Sequence, residues 1–287
     1  MHAKTRLAEF RQQGQPARKS MGQNFLHDAG ICSRIAELAL AEPLCGTVLE
    51  IGPGLGALTE PLLAKVQVVA IERDKRLAER LRAWAPLGLT LVEADALKVS
   101  WLQVLQALPR PYRVVGNLPY SITGALLRLV MHIAPEIDRS VVMVQREVAA
   151  RMCAQPRTGE YGALSVFLQS LFDVRKAFTV GSGAFWPSPQ IESTVVVLTP
   201  KKGPKAAPWP VFEACVRQAF GHRRKTLRNT LRGLFGWSVD ELAAKAQQAD
   251  ISLDSRAEEL SIDEFYALAS LAEGGAGASA HGTSKER

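Results

Sequence analysis

Read for hydrophobic and polar positions, the chain changes its period several times along its 287 residues. Short continuous apolar runs recur at T-V-L-E-I (47–51), V-Q-V-V-A-I-E (66–72), L-T-L-V-E (89–93), Y-R-V-V-G (112–116) and S-V-V-M-V (140–144). Runs of this length, rich in β-branched residues, predict strands buried on both faces. Between them stand segments with apolar residues three and four apart, the period of an amphipathic helix. These cover about 29–41, the stretch from a glycine turn through Lys65, Asp74 to Trp84, roughly 100–107, and Ser121 to Ile133. The alternation predicts an α/β fold with a doubly wound, mostly parallel sheet. Two later runs, S-V-F-L-Q-S-L-F at 165–172 and S-T-V-V-V-L at 193–198, are read as an edge hairpin on the same sheet.

The rest of the chain divides by composition. Residues 1–28 are polar and basic and read as an arm, with ordered structure beginning near Ala29. The sheet domain is placed at 29–200. A linker follows at 201–210, where three prolines, three lysines and a glycine fall within ten residues. Phe212, Val216, Ala219 and Phe220 share one helical face and Leu227, Leu231 and Leu234 the next, so a smaller C-terminal helical domain is expected at 211–273. The Gly/Ala/Ser-rich residues 274–287 read as a disordered tail.

Charge sharpens this division. The formal net charge is +7, which alone says little about partners. Between Ala214 and Val239, however, no acid occurs, while Arg217, Arg223, Arg224, Lys225, Arg228 and Arg232 supply six cations. Such a run is either a solvated helix face or a nucleic-acid surface. The four cysteines, Cys32, Cys45, Cys153 and Cys215, form no Cys-x-x-Cys pair, so no metal is expected and the thiols read as reduced. No signal-like or membrane-length apolar segment is found, and a soluble cytoplasmic protein is expected.

The candidate chemistry lies at the carboxyl ends of the predicted strands. The turn E-I-G-P-G-L-G-A-L-T at 50–59 sets Gly52, Gly54 and Gly56 where backbone must pass close to a ligand, although Ala57 stands where a dinucleotide fingerprint has its third glycine. Glu72 and Asp95 follow the next two strands. A carboxylate after the second strand suits ribose hydroxyls, and one after the third suits the amino group of adenine. Asp95, in its Asp-Ala-Leu context, also reads as a local helix cap.

The fourth strand ends in Asn117-Leu118-Pro119-Tyr120. An exocyclic aromatic amine is a poor nucleophile because its lone pair is delocalised into the ring. The Asn117 side-chain oxygen and the Leu118 carbonyl can hold its hydrogens and turn that lone pair toward a methyl donor. Pro119 fixes the turn and Tyr120 stacks on the base. No strong general base is needed, since the leaving group on the donor is neutral.

Ordered motifs along nearly the whole chain carry a resemblance. They include R-K-S-M-G-Q-N-F-L at 18–26, I-E-R-D at 71–74, E-A-D-A at 93–96, G-N-L-P-Y-S-I-T at 116–123, Q-R-E-V-A-A-R at 145–151, F-W-P-S-P-Q-I-E-S-T-V-V at 185–196 and F-G-H-R-R-K-T-L-R-N at 220–229. In these the chain resembles the ribosomal RNA adenine dimethyltransferase family, and within it the small-subunit branch. The resemblance implies a Rossmann-like methyltransferase sheet, S-adenosylmethionine as methyl donor, and dimethylation of two adjacent adenosines in a loop near the 3′ end of small-subunit rRNA, with a role in small-subunit biogenesis. It further implies a basic N-terminal arm closing over the cofactor site. Cofactor contacts are implied at Asn24, Leu26, Gly52, Glu72, Asp95 and Asn117, and base stacking at Phe185 opposite Tyr120. Met21, Ser121, Thr123 and Ser188, the last in the loop at 181–191, depart from the family pattern. RNA contact is expected at Arg223, Arg224, Lys225 and Arg228, with rRNA in a partly assembled small subunit as partner and a monomeric enzyme. Two alternatives stay open at this point: a resistance-type enzyme acting on large-subunit rRNA, and a ribosome-assembly factor that has lost catalysis.

Overall fold

The structure is a computed structural model describing residues 3–14, 16–18, 21–43, 46–84, 87–203, 206–222 and 224–272. Cys45, Arg223 and the tail expected at 274–287 lie outside the described residues. The chain opens with helix α1 (Ala3–Gln12), strand β1 (Phe25–Leu26) and α2 (Ala29–Leu40), followed by β2 (Thr47–Ile51), α3 (Thr59–Leu63) and β3 (Gln67–Glu72). It continues through α4 (Lys75–Trp84), β4 (Leu89–Glu93), α5 (Trp101–Leu105), β5 (Tyr112–Asn117), α6 (Thr123–His132), β6 (Ile137–Gln145) and α7 (Arg146–Met152). The last elements are α8 (Ala163–Leu171), β7 (Phe172–Val180), β8 (Phe185–Trp186), β9 (Ser193–Pro200), α9 (Trp209–Ala219), α10 (Leu227–Thr230), α11 (Val239–Gln248) and α12 (Ile262–Ser270).

Seven strands form one sheet in the order β4-β3-β2-β5-β6-β9-β7. The pairs from β4 through β6 are parallel, and β9 joins antiparallel to β6 and β7. Val48, Leu49, Val68, Val69, Ala70, Val114, Val115, Val142 and Val144 have no exposed surface, which explains why these strands read as unbroken apolar runs rather than alternations. Charged side chains are buried among them as well, Glu50, Glu72 and Arg113. Arg113 on β5 pairs with Asp138 at 2.7 Å and donates to the carbonyls of Ala39, Ala41 and Pro43, capping the end of α2 and tying it to the sheet.

The chain clusters into two compact units, one of residues 1–150 and 171–201 and the other of 151–170 and 202–287. Residues 151–170 therefore belong with the second unit, where the sequence reading had put them in the sheet domain. The expected hairpin at 165–172 is corrected for the same reason. That segment is the helix α8, and Phe167 packs on Trp209 and Phe212 at centroid distances of 5.7 and 6.5 Å. The partner of β9 is instead β7, a half-exposed edge strand that the sequence reading missed. Within the second unit Phe212 stacks on Tyr266 at 4.0 Å, and capping boxes at Ser238/Glu241 and Ser261/Glu264 start α11 and α12. Among the described residues no helix is long and apolar enough to cross a membrane.

The N-terminal arm is also more structured than expected. It contains α1, whose Leu7 and Phe10 are buried, and β1, which pairs antiparallel with β8 through Phe25↔Trp186 and Leu26↔Phe185.

Candidate active site

The chain runs outward from β2 to β3 and β4, then returns to lay β5 against the other side of β2. At such a reversal the loops leaving the two central strands diverge and open a crevice beyond their carboxyl ends. Here that crevice is a cleft of about 1150 Å³, counting the solvent at its mouth. Asn24, Leu26, Gly52, Glu72, Asp95, Asn117, Leu118, Pro119 and Tyr120 all line it.

Each wall has a local cause. After β2 the chain turns through Gly52, Gly54 and Gly56 with φ of +67°, +60° and +78°, a region that a side chain disfavours. A Cβ on Gly52 would meet nothing within 4 Å, so this backbone faces open space at the cleft floor. Glu72 ends β3 with 6 % of its surface exposed, and its carboxylate accepts the Gly54 N–H at 3.1 Å and the Asp74 N–H at 2.7 Å. Burial pushes its carboxyl above the usual range, against those backbone hydrogen bonds. Each Glu72 oxygen takes one of these bonds, leaving acceptor capacity for two hydroxyls.

Asp95 accepts the Leu97 N–H at 3.0 Å and pairs with Arg73 at 3.3 Å. No helix starts at Asp95, so the cap foreseen for it is not formed: the Leu97 bond closes a turn, Ser100 caps α5 by accepting the Gln103 N–H, and Asp95 lines the cleft.

Asn117 ends β5. Its Nδ2 donates to the Asn24 carbonyl at 3.0 Å. Because a carbonyl only accepts, this contact fixes which end of the amide is nitrogen and leaves Oδ1 as the acceptor on the other side. The Leu118 N–H is spent on the Met143 carbonyl at 3.0 Å, and the Pro119 carbonyl accepts from Thr123 Oγ1 at 2.9 Å, so the turn is held at both ends. Tyr120 is half-buried with its hydroxyl 2.8 Å from Ser193 Oγ, an anchor that sets the ring position.

The geometry reveals functional neighbours that sequence reasoning left without a role. Gln23 Nε2 donates to Asp74 at 2.8 Å, and Arg76 and Arg18 converge on the same carboxylate at 2.7 and 3.5 Å. Burial works against the ionised form of Asp74, but the hydrogen bonds from Arg76 and Gln23 outweigh it and hold the carboxyl below the ordinary range. With Asn24 bonded to Asn117 and Gln23 to Asp74, the arm spans the cleft from β3 to β5. Glu50, at the end of β2, is also buried in the cleft wall and accepts from Thr59 Oγ1 at 2.7 Å. The quoted motifs contained Gln23, Asp74 and Glu50; the meeting of Gln23 with Asp74 and of Glu50 with Thr59 was hidden.

Two expectations need correction or narrowing. Phe185 is 2 % exposed, shares a core cluster with Leu26, its partner across the β1–β8 pair, and is not among the residues that line the cleft. Of the basic residues, Arg224 and Lys225 are exposed, while Arg228 is engaged with Asp254 at 3.2 Å.

A family model described as "Ribosomal RNA adenine dimethylase" matches residues 14–273. The chain belongs to the ribosomal RNA adenine dimethylase family. Its relatives include a protein of Acidovorax ebreus named "Ribosomal RNA small subunit methyltransferase A", 42% identical over 88% of this chain and 96% of that one. Among solved structures, a dimethyladenosine transferase from Plasmodium falciparum has the same fold, with a TM-score of 0.73 at 24% identity over 85% of this chain and 95% of the other. The 23S rRNA methyltransferase ErmE aligns with a TM-score of 0.64 at 28% identity, covering 87% of this chain and all of the other.

Proposed function

We propose that this chain transfers methyl groups from S-adenosylmethionine to the exocyclic amine of two adjacent adenosines near the 3′ end of small-subunit rRNA. The observation that carries the reading is the orientation of Asn117. With its nitrogen held by the Asn24 carbonyl, its oxygen is an acceptor at the edge of a cleft suited to an adenosyl group.

The residues present fit such a donor. Gly52 offers backbone with open space above it, Glu72 offers two unfilled acceptor positions to ribose hydroxyls, and Asp95 lies on the next strand end for adenine. When bound, S-adenosylmethionine supplies an electrophilic methyl on a sulfonium centre. Asn117 Oδ1 and the Leu118 carbonyl hold the two amine hydrogens, which turns the nitrogen lone pair out of conjugation. Tyr120, anchored on Ser193, presents its face to the base and limits its tilt. Stacking of this kind is worth about 1–3 kcal/mol per base. The amine proton is shed to solvent after transfer, and positioning supplies most of the rate gain.

The small-subunit target is favoured over a large-subunit one by the naming of the curated relatives at about 40% identity over most of the chain. A partly assembled small subunit as substrate, a monomeric enzyme and a cytoplasmic site of action complete the proposal. The test incubates the full chain and methyl-labelled S-adenosylmethionine with unmethylated small subunits and, separately, large-subunit rRNA, and maps labelled nucleosides by mass spectrometry. Dimethyladenosine confined to small-subunit rRNA is expected. Label in large-subunit rRNA would transfer the assignment to the resistance-type activity, and tight binding without label would make the chain an assembly factor.

A further inference from the structure

Helix α1 precedes the residues matched by the family model, and one of its side chains reaches the cleft's glycine turn. Arg6 is 7 % exposed. Its Nε donates to the Leu55 carbonyl at 2.7 Å, and its Nη2 donates to the Gly56 carbonyl at 2.9 Å and to Glu60 Oε2 at 3.0 Å. Its guanidinium lies 4.0 Å from the Trp84 ring centroid. A buried cation is costly unless its face and edges find partners, and each of these partners belongs to the turn or to the helices flanking it.

We propose that Arg6 is a positioning residue for the methyl donor: by clamping the Leu55 and Gly56 carbonyls from outside, it holds the glycine turn in the shape that accepts the nucleoside. The proposal rests on the reading of the cleft as the donor site. A peptide unit is planar and trans, so fixing a carbonyl fixes the N–H of the following residue in the opposite direction. Arg6 thereby orients the N–H groups of Gly56 and Ala57; the first closes the turn on the Pro53 carbonyl at 2.8 Å. On the cleft side the same turn is held by the bond from Gly54 N–H to Glu72. The turn is thus gripped from both sides, and Arg6 is the outer half of the grip.

Gly56 carries the imprint of this arrangement. A Cβ there would stand 3.0 Å from Trp84, 3.1 Å from Leu81 and 3.4 Å from the Arg6 guanidinium. A side chain there would push these neighbours back by a few tenths of an ångström at a φ of +78° that disfavours it, so glycine lets the clamp and its aromatic backing close on the turn. The helix that delivers Arg6 is itself fastened to the other cleft wall. Phe10 is fully buried and meets Phe25 edge-on at 5.5 Å and Trp186 at 6.3 Å, and Phe25 lines the cleft.

The experiment is calorimetric titration of the full chain with S-adenosylhomocysteine, comparing wild type, Arg6→Ala, Arg6→Lys and Leu105→Ala. Leu105 is a buried residue of α5 outside the cleft, chosen as a control for general destabilisation. Arg6→Ala is expected to weaken the nucleoside roughly 10-fold, with the donor KM rising in step and kcat at saturating donor within about twofold of wild type. Arg6→Lys is expected to weaken it at least about 3-fold, because a point charge cannot span two carbonyls as a guanidinium does, and it decides the matter should Arg6→Ala not fold. Leu105→Ala, at equal loss of Tm, should bind the nucleoside as wild type does. Wild-type affinity in both Arg6 variants, or a matching loss in Leu105→Ala, overturns the clamp while leaving the donor site standing. A wild-type chain that binds no nucleoside overturns the cleft reading and the clamp together.

Discussion

Asn117 has a donor and an acceptor, and the site uses them differently: the donor fixes the side chain to Asn24 and the acceptor is left for the substrate. Asn117→Ala removes an acceptor that acts on the reacting nitrogen, so methyl transfer should fall by roughly 10²–10³ while RNA affinity stays within about twofold. Single-turnover rates and filter binding on the same preparation separate the two, and near-normal turnover would refute the mechanism. Glu50 supports a second prediction at this scale. Burial, reinforced by the charge of Glu72 and opposed by the Thr59 hydrogen bond, pushes its carboxyl up to about 7 from 4.5. The folded chain therefore holds this proton more tightly than the unfolded chain does. Stability is complete below about pH 4.5 and declines as pH rises through about 7, where the buried carboxyl must ionise. Glu50→Gln removes that penalty, at most about 3 kcal/mol, and keeps an acceptor for Thr59. Its Tm should exceed that of wild type near pH 8 and converge with it near pH 4. Parallel melting curves for the two proteins across that range would contradict the assignment.

Elements differ in how openly the sequence announces them, and the difference follows burial. The inner parallel strands β2, β3, β5 and β6 are largely buried, so their apolar runs are continuous and legible, while β4 at the edge is partly exposed; the acids and the Asn-Leu-Pro-Tyr turn at the carboxyl ends are legible too. Helix α8 is legible only as an apolar run, because Ser165, Val166, Phe167, Leu168 and Ser170 are all buried and no polar face marks a helical period. Strand β7 fails in the other direction: Asp173, Arg175 and Lys176 are exposed on a sheet edge and mask its pattern. In α1 the buried positions are Arg6, Leu7 and Phe10, and a buried arginine is indistinguishable in sequence from a solvated one. The arm's closure over the cleft was implied by the resemblance, but the contact that makes it was hidden, because Gln23 meets Asp74 across 51 residues. Asp74→Ala would release Gln23, Arg76 and Arg18 together. Limited proteolysis should then cut faster near 18–24, and S-adenosylhomocysteine should bind roughly 10-fold more weakly, since a hydrogen-bonded charge is lost at the strap. Unchanged protease resistance would show that Asn24 and β1 hold the arm without it.

For the whole molecule the informative quantity is where charge sits rather than its sum. A net charge of +7 is ordinary, but the segment from Ala214 to Val239 has six cations and no acid. Arg224 and Lys225 are exposed, and among the described residues no ion pair is recorded for either, whereas Arg228 reaches Asp254 at 3.2 Å with both side chains more than half exposed. An exposed pair of this kind is worth about 0–1 kcal/mol, so Arg228 remains available to a phosphate at small cost. Each phosphate neutralised releases condensed counterions, giving a slope of about −0.7 to −0.9 in log affinity against log salt. Reversing Arg224 and Lys225 to Glu should therefore flatten the salt dependence of small-subunit RNA binding by about two such increments and weaken binding uniformly across RNA sequences. Arg228→Glu should cost less than either, because the wild-type residue already shares its charge with Asp254. Titrations of the full chain against the RNA at several salt concentrations read both the slope and the intercept. A slope unchanged by the double reversal would mean that these cations face solvent, and that the RNA is held elsewhere on the chain.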